Sequence, residues 1–382
     1  MPPAAMRFAI VAPLLFTASA CAQTGTRAVP SRPASSPADT APAPAPARER
    51  SLPTVTLNKI EYISLPNAAK WMRMKTAWQE KERRLTIFDA TNKAELEADS
   101  RELKLNGLRL FLGRPTLLRN DVLYAAKSDF DRMLLSRLRP ELVPAPPPRP
   151  RVIALDPGHG GLDNGMENKA LGLKEKVLTL DVAQRLQKIL VARGYKVVLT
   201  RTDDGSLARD KPTDWRMRFD LANRAGADVL ISIHFNSLYP DTKTSGTETY
   251  MFTPQMNRSD RAWSPKQVDD TERDAMPVNR YDAWSALLSQ MMHRNVINQL
   301  KTLDRGQKTM HSAVLRGLNC PAVLVESVFL SNESEATRAA TAAYRQQIAE
   351  ALASGIDAYA DAVAALHPKP SAPGAVSTPP PK

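Results

Sequence analysis

Cysteine is almost absent from this chain. Among 382 residues only Cys21 and Cys320 occur. Cys21 falls in an N-terminal leader, so no disulfide framework can form. Cys320 precedes Pro321 and an apolar run, and reads as a small buried hydrophobe. Membrane-length apolar runs are missing as well. The stretch at 8–16 is far short of the roughly 20 residues that span a bilayer, and no other run approaches that length. Internal repeats are absent. The formal net charge is +12, yet no aromatic-interleaved basic motif accompanies it. That excludes nucleic acid as the expected partner and leaves an anionic membrane face or an acidic polymer. Histidine is scarce, at five residues, so the placing of each one matters.

The N-terminus holds Arg7, the apolar stretch and then Ala18-Ser19-Ala20-Cys21, which together read as a secretory signal over 1–21. Two cleavage readings fit. Ala18-x-Ala20 suits an ordinary signal peptidase. The same stretch resembles a bacterial lipobox that would place a lipid on Cys21, with Ala18 where leucine is usual. Lipidation is preferred because cysteine is otherwise so rare, and Ala22 after it suits outer-membrane sorting. The expected location is the periplasm, with an outer-membrane anchor at Cys21. Residues 22–52 are rich in Pro, Ala, Ser and Thr and read as a disordered linker; 367–382 form a similar tail. A third proline cluster at 139–150 reads as a linker between two ordinary blocks.

The first block, 54–138, holds the strand-like RRLTIF, then LKLNGLRLFL with a turn at Asn106-Gly107, then the helical pattern SDFDRMLLSRLRP. It is similar to copper amine oxidase N-terminal-like domains but holds neither His nor Cys. We read it as a small α+β accessory domain without a metal site. The second block, 151–366, alternates. Strands are expected at 152–155, 196–200, 228–233, 246–252 and 322–326. Helices are expected at 175–193, 207–226, 280–301 and 335–365. The first of these shows apolar spacing at Val177, Leu180, Ala183, Leu186, Ile189 and Leu190. Such alternation predicts an α/β fold: a mostly parallel twisted sheet with helices on both faces.

His159 follows the first strand of this block in DPGHGG. His234 ends the strand DVLISI, Glu326 ends AVLVE, and Glu175 opens a helix. Ligands in open α/β sheets bind outside the carboxyl ends of the strands, so the four should converge. Two imidazoles and carboxylates without a thiolate make a catalytic zinc set, one that keeps an open position for water. Gly158, Gly160 and Gly161 would let the backbone turn tightly beside the metal.

In order along the chain stand DPGHGG, Glu175-Lys176, Thr200-Arg201 with Asp204, and Ala222-Asn223 with Ala227-Asp228. SIH-x-N at 232–236, Gly246-x-Glu248-x-Tyr250 and VE-x-x-FLSN at 325–332 follow. This series resembles the zinc-dependent N-acetylmuramoyl-L-alanine amidases of the amidase 3 type across nearly all of 151–365. The resemblance implies that His159, Glu175 and His234 hold Zn2+ and that Glu326 is the catalytic carboxylate. It implies peptidoglycan as substrate, cut between N-acetylmuramic acid and L-alanine. Ser327-Val328 stands where the family more often has a small residue and Gly. Asn236 and Arg201 are candidates for orienting a ligand or holding a strand end.

Two other functions stay open: a zinc amidase acting on soluble muropeptides, and a non-catalytic wall-binding module. The segment 255–278 exceeds the about 12–15 residues of ordinary ordered loops. It reads either as a solvated loop or as a lid over the site that an activator protein would move.

Overall fold

The structure is a computed structural model that describes residues 52–260 and 274–367. The leader with Cys21, the linker up to residue 51, the tail beyond 367 and the 261–273 part of the expected lid lie outside the described residues. Among the described residues no helix is long and apolar enough to cross a membrane.

The first block contributes β1 (Thr54–Leu57), β2 (Ile60–Ser64), α1 (Leu65–Trp71), β3 (Lys75–Gln79), β4 (Arg84–Phe88), β5 (Lys93–Glu97), β6 (Glu102–Leu105), β7 (Leu108–Phe111), β8 (Leu117–Arg119) and β9 (Val122–Ala126). Asn106 and Gly107 both take positive φ, 52° and 82°, which closes the β6–β7 hairpin as a turn of matching twist. Helical turns follow over 127–138. The second block runs β10 (Val152–Pro157), β11 (Glu167–Asn168), β12 (Leu173–Lys174), α2 (Glu175–Ala192), β13 (Lys196–Leu199), α3 (Lys211–Arg224), β14 (Val229–Asn236), β15 (Thr247–Phe252), α4 (Asp282–Leu300), β16 (Asp304–Met310), β17 (Ala322–Phe329), α5 (Glu333–Ala340) and α6 (Ala342–Ala364).

One 11-stranded sheet passes through both blocks, in the order β13-β10-β14-β17-β15-β16-β7-β6-β5-β4-β3. Strands β13, β10, β14 and β17 are parallel; β15 lies antiparallel to β17, and β16 is parallel to β15. Strand β16 then meets β7, with Gln307 opposite Leu110. The proline-rich stretch 139–150 separates the blocks along the chain, while in space the sheet continues from one to the other.

Alternation along the central strands sorts their side chains between two covered faces. Ile153, Leu155, Ile231, Ile233, Val323 and Val325 join a core with Leu186 of α2, Leu288 of α4 and Leu352 of α6. Their neighbours Ala154, Leu230 and Leu324 point the other way, onto Ala222 and Phe219 of α3. A sheet buried on both faces needs near-continuous apolar strands, which is why VIAL and DVLISI read so clearly.

Four details differ from expectation. Val177 is 52% exposed, because the first turn of α2 is rotated to bury Glu175 and Lys176 instead. The helix expected from 207 starts at Lys211, where the Asp210 carboxylate caps the Thr213 amide. The long helix expected over 335–365 breaks at Thr341, which caps α6. Strand β16 was not expected, since DRGQKTM lacks an apolar pattern. Cys320 is buried as expected, and that burial pushes its thiol up to about 12.

Candidate active site

Parallel pairing of β10 with β14 brings the loop after Pro157 beside His234. The Gly158 amide donates to the Ile233 carbonyl at 3.0 Å. Glycine is required here, because a Cβ at 158 would run into the His234 imidazole. His159 then adopts φ of +65°, a conformation costly for a residue with a side chain.

Two buried guanidinium groups hold that loop in place. Arg201 donates to the carbonyls of Pro157 at 2.9 Å, Gly158 at 3.0 Å and Lys176 at 2.7 Å. Arg218 donates to the carbonyls of Pro157 at 2.9 Å and His159 at 2.7 Å. Its charge is met by Asp156 at 3.0 Å and Asp214 at 2.6 Å. Asp156 also accepts from Thr200 at 2.6 Å and Ser232 at 2.7 Å. Burial lowers the Arg201 pKa to about 10. For Arg218 burial opposes the charge, but the two aspartates outweigh it and raise the pKa. Of the two roles open to Arg201, its contacts are those of holding a strand end.

His159, Glu175 and His234 come together, with ligand atoms all within 4.8 Å of one another. Glu175 Oε2 lies 3.1 Å from His159 Nε2, and Oε1 lies 3.0 Å from His234 Nδ1. Backbone amides of Met166 at 2.9 Å and Phe235 at 3.1 Å also donate to this carboxylate. Burial alone would raise the Glu175 pKa; the two imidazoles and their hydrogen bonds hold it well below the usual carboxylate range. A cluster of two histidines and one glutamate, without thiolate, can hold a divalent cation and leave a position free.

Asp163 was not singled out from the sequence, yet its Oδ2 lies 3.1 Å from His159 Nδ1 and 3.0 Å from Lys211 Nζ. His159 thus turns Nδ1 to a carboxylate and Nε2 to the cluster. Burial works against a proton on His159, but Asp163 and Glu175 hold its pKa up at about 9. Glu326 is buried on β17, directly opposite His234 of β14 on one side and Glu248 of β15 on the other. Glu248 accepts from Asn236 at 2.7 Å, Tyr250 at 2.7 Å, Arg305 at 2.9 Å and Lys308 at 2.6 Å. Asn236 is therefore engaged in the protein interior, its amide on Glu248.

A cavity of about 630 Å³ opens over the cluster. Both histidines line it, together with Leu162, Arg209, Lys211, Trp215 and His311. His311 had no motif to mark it. Among the described residues, 255–260 and 274–278 do not line this cavity. Residues 256–260 are instead tied elsewhere: Asn257 to Ser128 and Asp129 at 2.7 Å each, Asp260 to Arg101 at 2.6 Å. His293 lies outside the site, fully buried between Thr249 at 3.0 Å and Asp304 at 2.8 Å.

Residues 153–358 match the amidase 3 family, described as N-acetylmuramoyl-L-alanine amidase. The chain belongs to that family. The N-acetylmuramoyl-L-alanine amidase AmiC of Escherichia coli O6:H1 is 30% identical over 263 residues, 63% of this chain and 61% of the relative. AmiC of Neisseria meningitidis serogroup B is 33% identical, over 54% of this chain and 52% of its own length. The match thus spans about half to three-fifths of these two relatives. The germination-specific N-acetylmuramoyl-L-alanine amidase of Bacillus subtilis is 33% identical, over 55% of this chain and 79% of its own length. A solved amidase from Clostridium difficile 630 covers 56% of this chain and 98% of that chain, with 30% identity and a TM-score of 0.45.

Proposed function

We propose that this chain is a zinc-dependent N-acetylmuramoyl-L-alanine amidase that cuts peptidoglycan between N-acetylmuramic acid and the L-alanine of the stem peptide. The observation that carries the reading is the cluster of His159, Glu175 and His234 in a chain of the amidase 3 family. Its donor set fits zinc: two imidazoles and a carboxylate suit a catalytic site. Bound there, zinc would supply a Lewis acid for the amide carbonyl and a water acidified to about pKa 7.

The chain's own residues do the rest. Asp163 keeps a proton on His159 Nδ1, so that Nε2 is the nitrogen free for the metal. Arg201 and Arg218 fix the carbonyls of 157–159 and with them the His159 backbone. Glu326, in the strand beside His234, takes the proton of the attacking water and returns it to the amide nitrogen as the C–N bond breaks. The products are a lactyl carboxylate and the free amine of L-alanine.

The work is assigned outside the cytoplasm, where peptidoglycan lies and where the leader would direct the chain. Cys21 is assigned the anchor: wild-type protein should fractionate with membranes and Cys21→Ser should not.

Digestion of purified peptidoglycan by the zinc-loaded protein, followed by mass spectrometry, tests the activity. Stem peptides with a free L-alanine amine and glycan chains bearing free lactyl groups are the expected products. Cleavage at any other bond, or none, would overturn the reading. Parallel digestion of soluble muropeptides separates polymer from fragment as the preferred substrate.

A further inference from the structure

The cavity over the metal cluster carries three cations on its wall: Arg209, Lys211 and Arg218. Two are already matched. Arg218 is buried between Asp156 and Asp214, and Lys211 pairs with Asp163 at 3.0 Å. Arg209 is different. It is exposed, and among the described residues no carboxylate lies within ion-pairing distance of it. The cavity's carboxylates, Asp156, Asp163 and Asp214, are all engaged by other groups. The wall therefore keeps one positive charge that no carboxylate among the described residues answers.

Its surroundings say what could answer it. Arg209 stands just before α3, and Trp215 lies one turn beyond Lys211 on the same wall, half-buried. Leu162, 98% exposed, projects from the metal loop into the same space. A flat indole, an aliphatic side chain and an unmatched guanidinium suit a short peptide that bears a carboxylate. A guanidinium also meets a carboxylate through paired parallel hydrogen bonds, which a neutral amide cannot return. On the amidase reading, the atoms beyond the scissile bond are the stem peptide, whose second residue carries either a free carboxylate or its amide.

We propose that Arg209 forms an anion subsite of the catalytic cavity that receives a stem-peptide carboxylate, which makes the enzyme selective for acidic over amidated stems. The assignment rests on the amidase reading and deepens it. Among the described residues Arg209 makes no hydrogen bond or ion pair to the metal cluster or to the loop that holds it, so its loss should leave zinc content and fold intact.

The test uses two soluble muropeptides that differ only in whether the second-residue carboxylate is free or amidated. Wild-type protein should cleave the acidic one with kcat/KM higher by about tenfold, the difference lying in KM, in keeping with one charge-assisted hydrogen bond. Arg209→Gln should remove the preference by weakening the acidic substrate alone. Arg209→Lys should restore part of it, and added salt should shrink it in the wild type. Zinc content and thermal unfolding of each variant establish that the site is intact. A preference that survives Arg209→Gln, or an equal loss on both substrates, would overturn the subsite while leaving the amidase reading standing. If zinc-loaded wild type cleaves neither, the amidase reading falls and the subsite with it.

Discussion

Glu175 and His234 are separated by 59 residues, yet Oε1 of the one lies 3.0 Å from Nδ1 of the other. The first turn of α2 and the far end of β14 are brought to one point by the sheet. The same carboxylate meets His159 through its other oxygen. Removal of any of the three therefore takes away a donor. His159→Ala, Glu175→Ala and His234→Ala should lose zinc and activity together. Glu326→Gln should keep near-stoichiometric zinc while activity collapses. Elemental analysis decides it: zinc lost from Glu326→Gln but kept in His159→Ala would reverse the assigned roles.

On the proposed reading, Asp163 acts through His159 rather than on substrate. Partners that orient a ligating histidine are worth about 10- to 100-fold in metal affinity. Asp163→Asn should weaken zinc by an amount in that range, measured by competition with a chelator. An unchanged dissociation constant would make Asp163 a bystander.

Arg218 neutralises two buried aspartates at once. Arg218→Met leaves both charges without it, a change that costs about 3–5 kcal/mol for a buried pair. Denaturant unfolding of the zinc-free protein measures this directly. A loss below about 1 kcal/mol would show that water reaches Asp156 and Asp214 in the variant.

Asp129 offers a pH signature remote from the metal. It is fully buried and accepts from the amides of Gly113 at 2.7 Å and Arg114 at 3.0 Å and from Asn257 at 2.7 Å. Burial outweighs those donors and pushes its pKa up to about 6. The folded state then holds the proton more tightly than the unfolded one. This stabilisation is complete below the unfolded value near 3.8 and is lost as pH rises through about 6. An Asp129→Asn variant does not titrate there. Its stability deficit against wild type should be larger at pH 4 than at pH 7, shrinking by about 2 kcal/mol across that range. Denaturation curves across that range test the sign; a deficit that grows with pH contradicts it.

Much of this was legible in the residues. The parallel strands announce themselves because both faces are covered, so Ile153, Leu155, Ile231 and Val323 stand in almost unbroken apolar runs. His159, Glu175 and His234 come together as a candidate metal cluster because strand ends and the helix start beside them gather at one end of such a sheet. What stayed hidden depends on partners far away in the chain. Strand β16 is polar and becomes a strand only between β15 and β7. Asp163 reads as one more turn residue until His159 is folded against it. Arg218 looks like an ordinary surface arginine, and only the fold shows its guanidinium group inside, on backbone carbonyls. Val177 misled because helix α2 follows the demand of Glu175 over that of apolar spacing.

The meeting of Leu110 with Gln307 has a practical side for anyone who cuts this protein at the proline-rich stretch. Freed of β7, the second block would show β16 as an open border of hydrogen-bonding backbone, over side chains such as Gln307 and Thr309 that are fully buried in the intact chain. Borders of that kind recruit other chains. The fragment would be prone to self-association and poor yield, so protein for the proposed digestion experiment is better made with the first block left on.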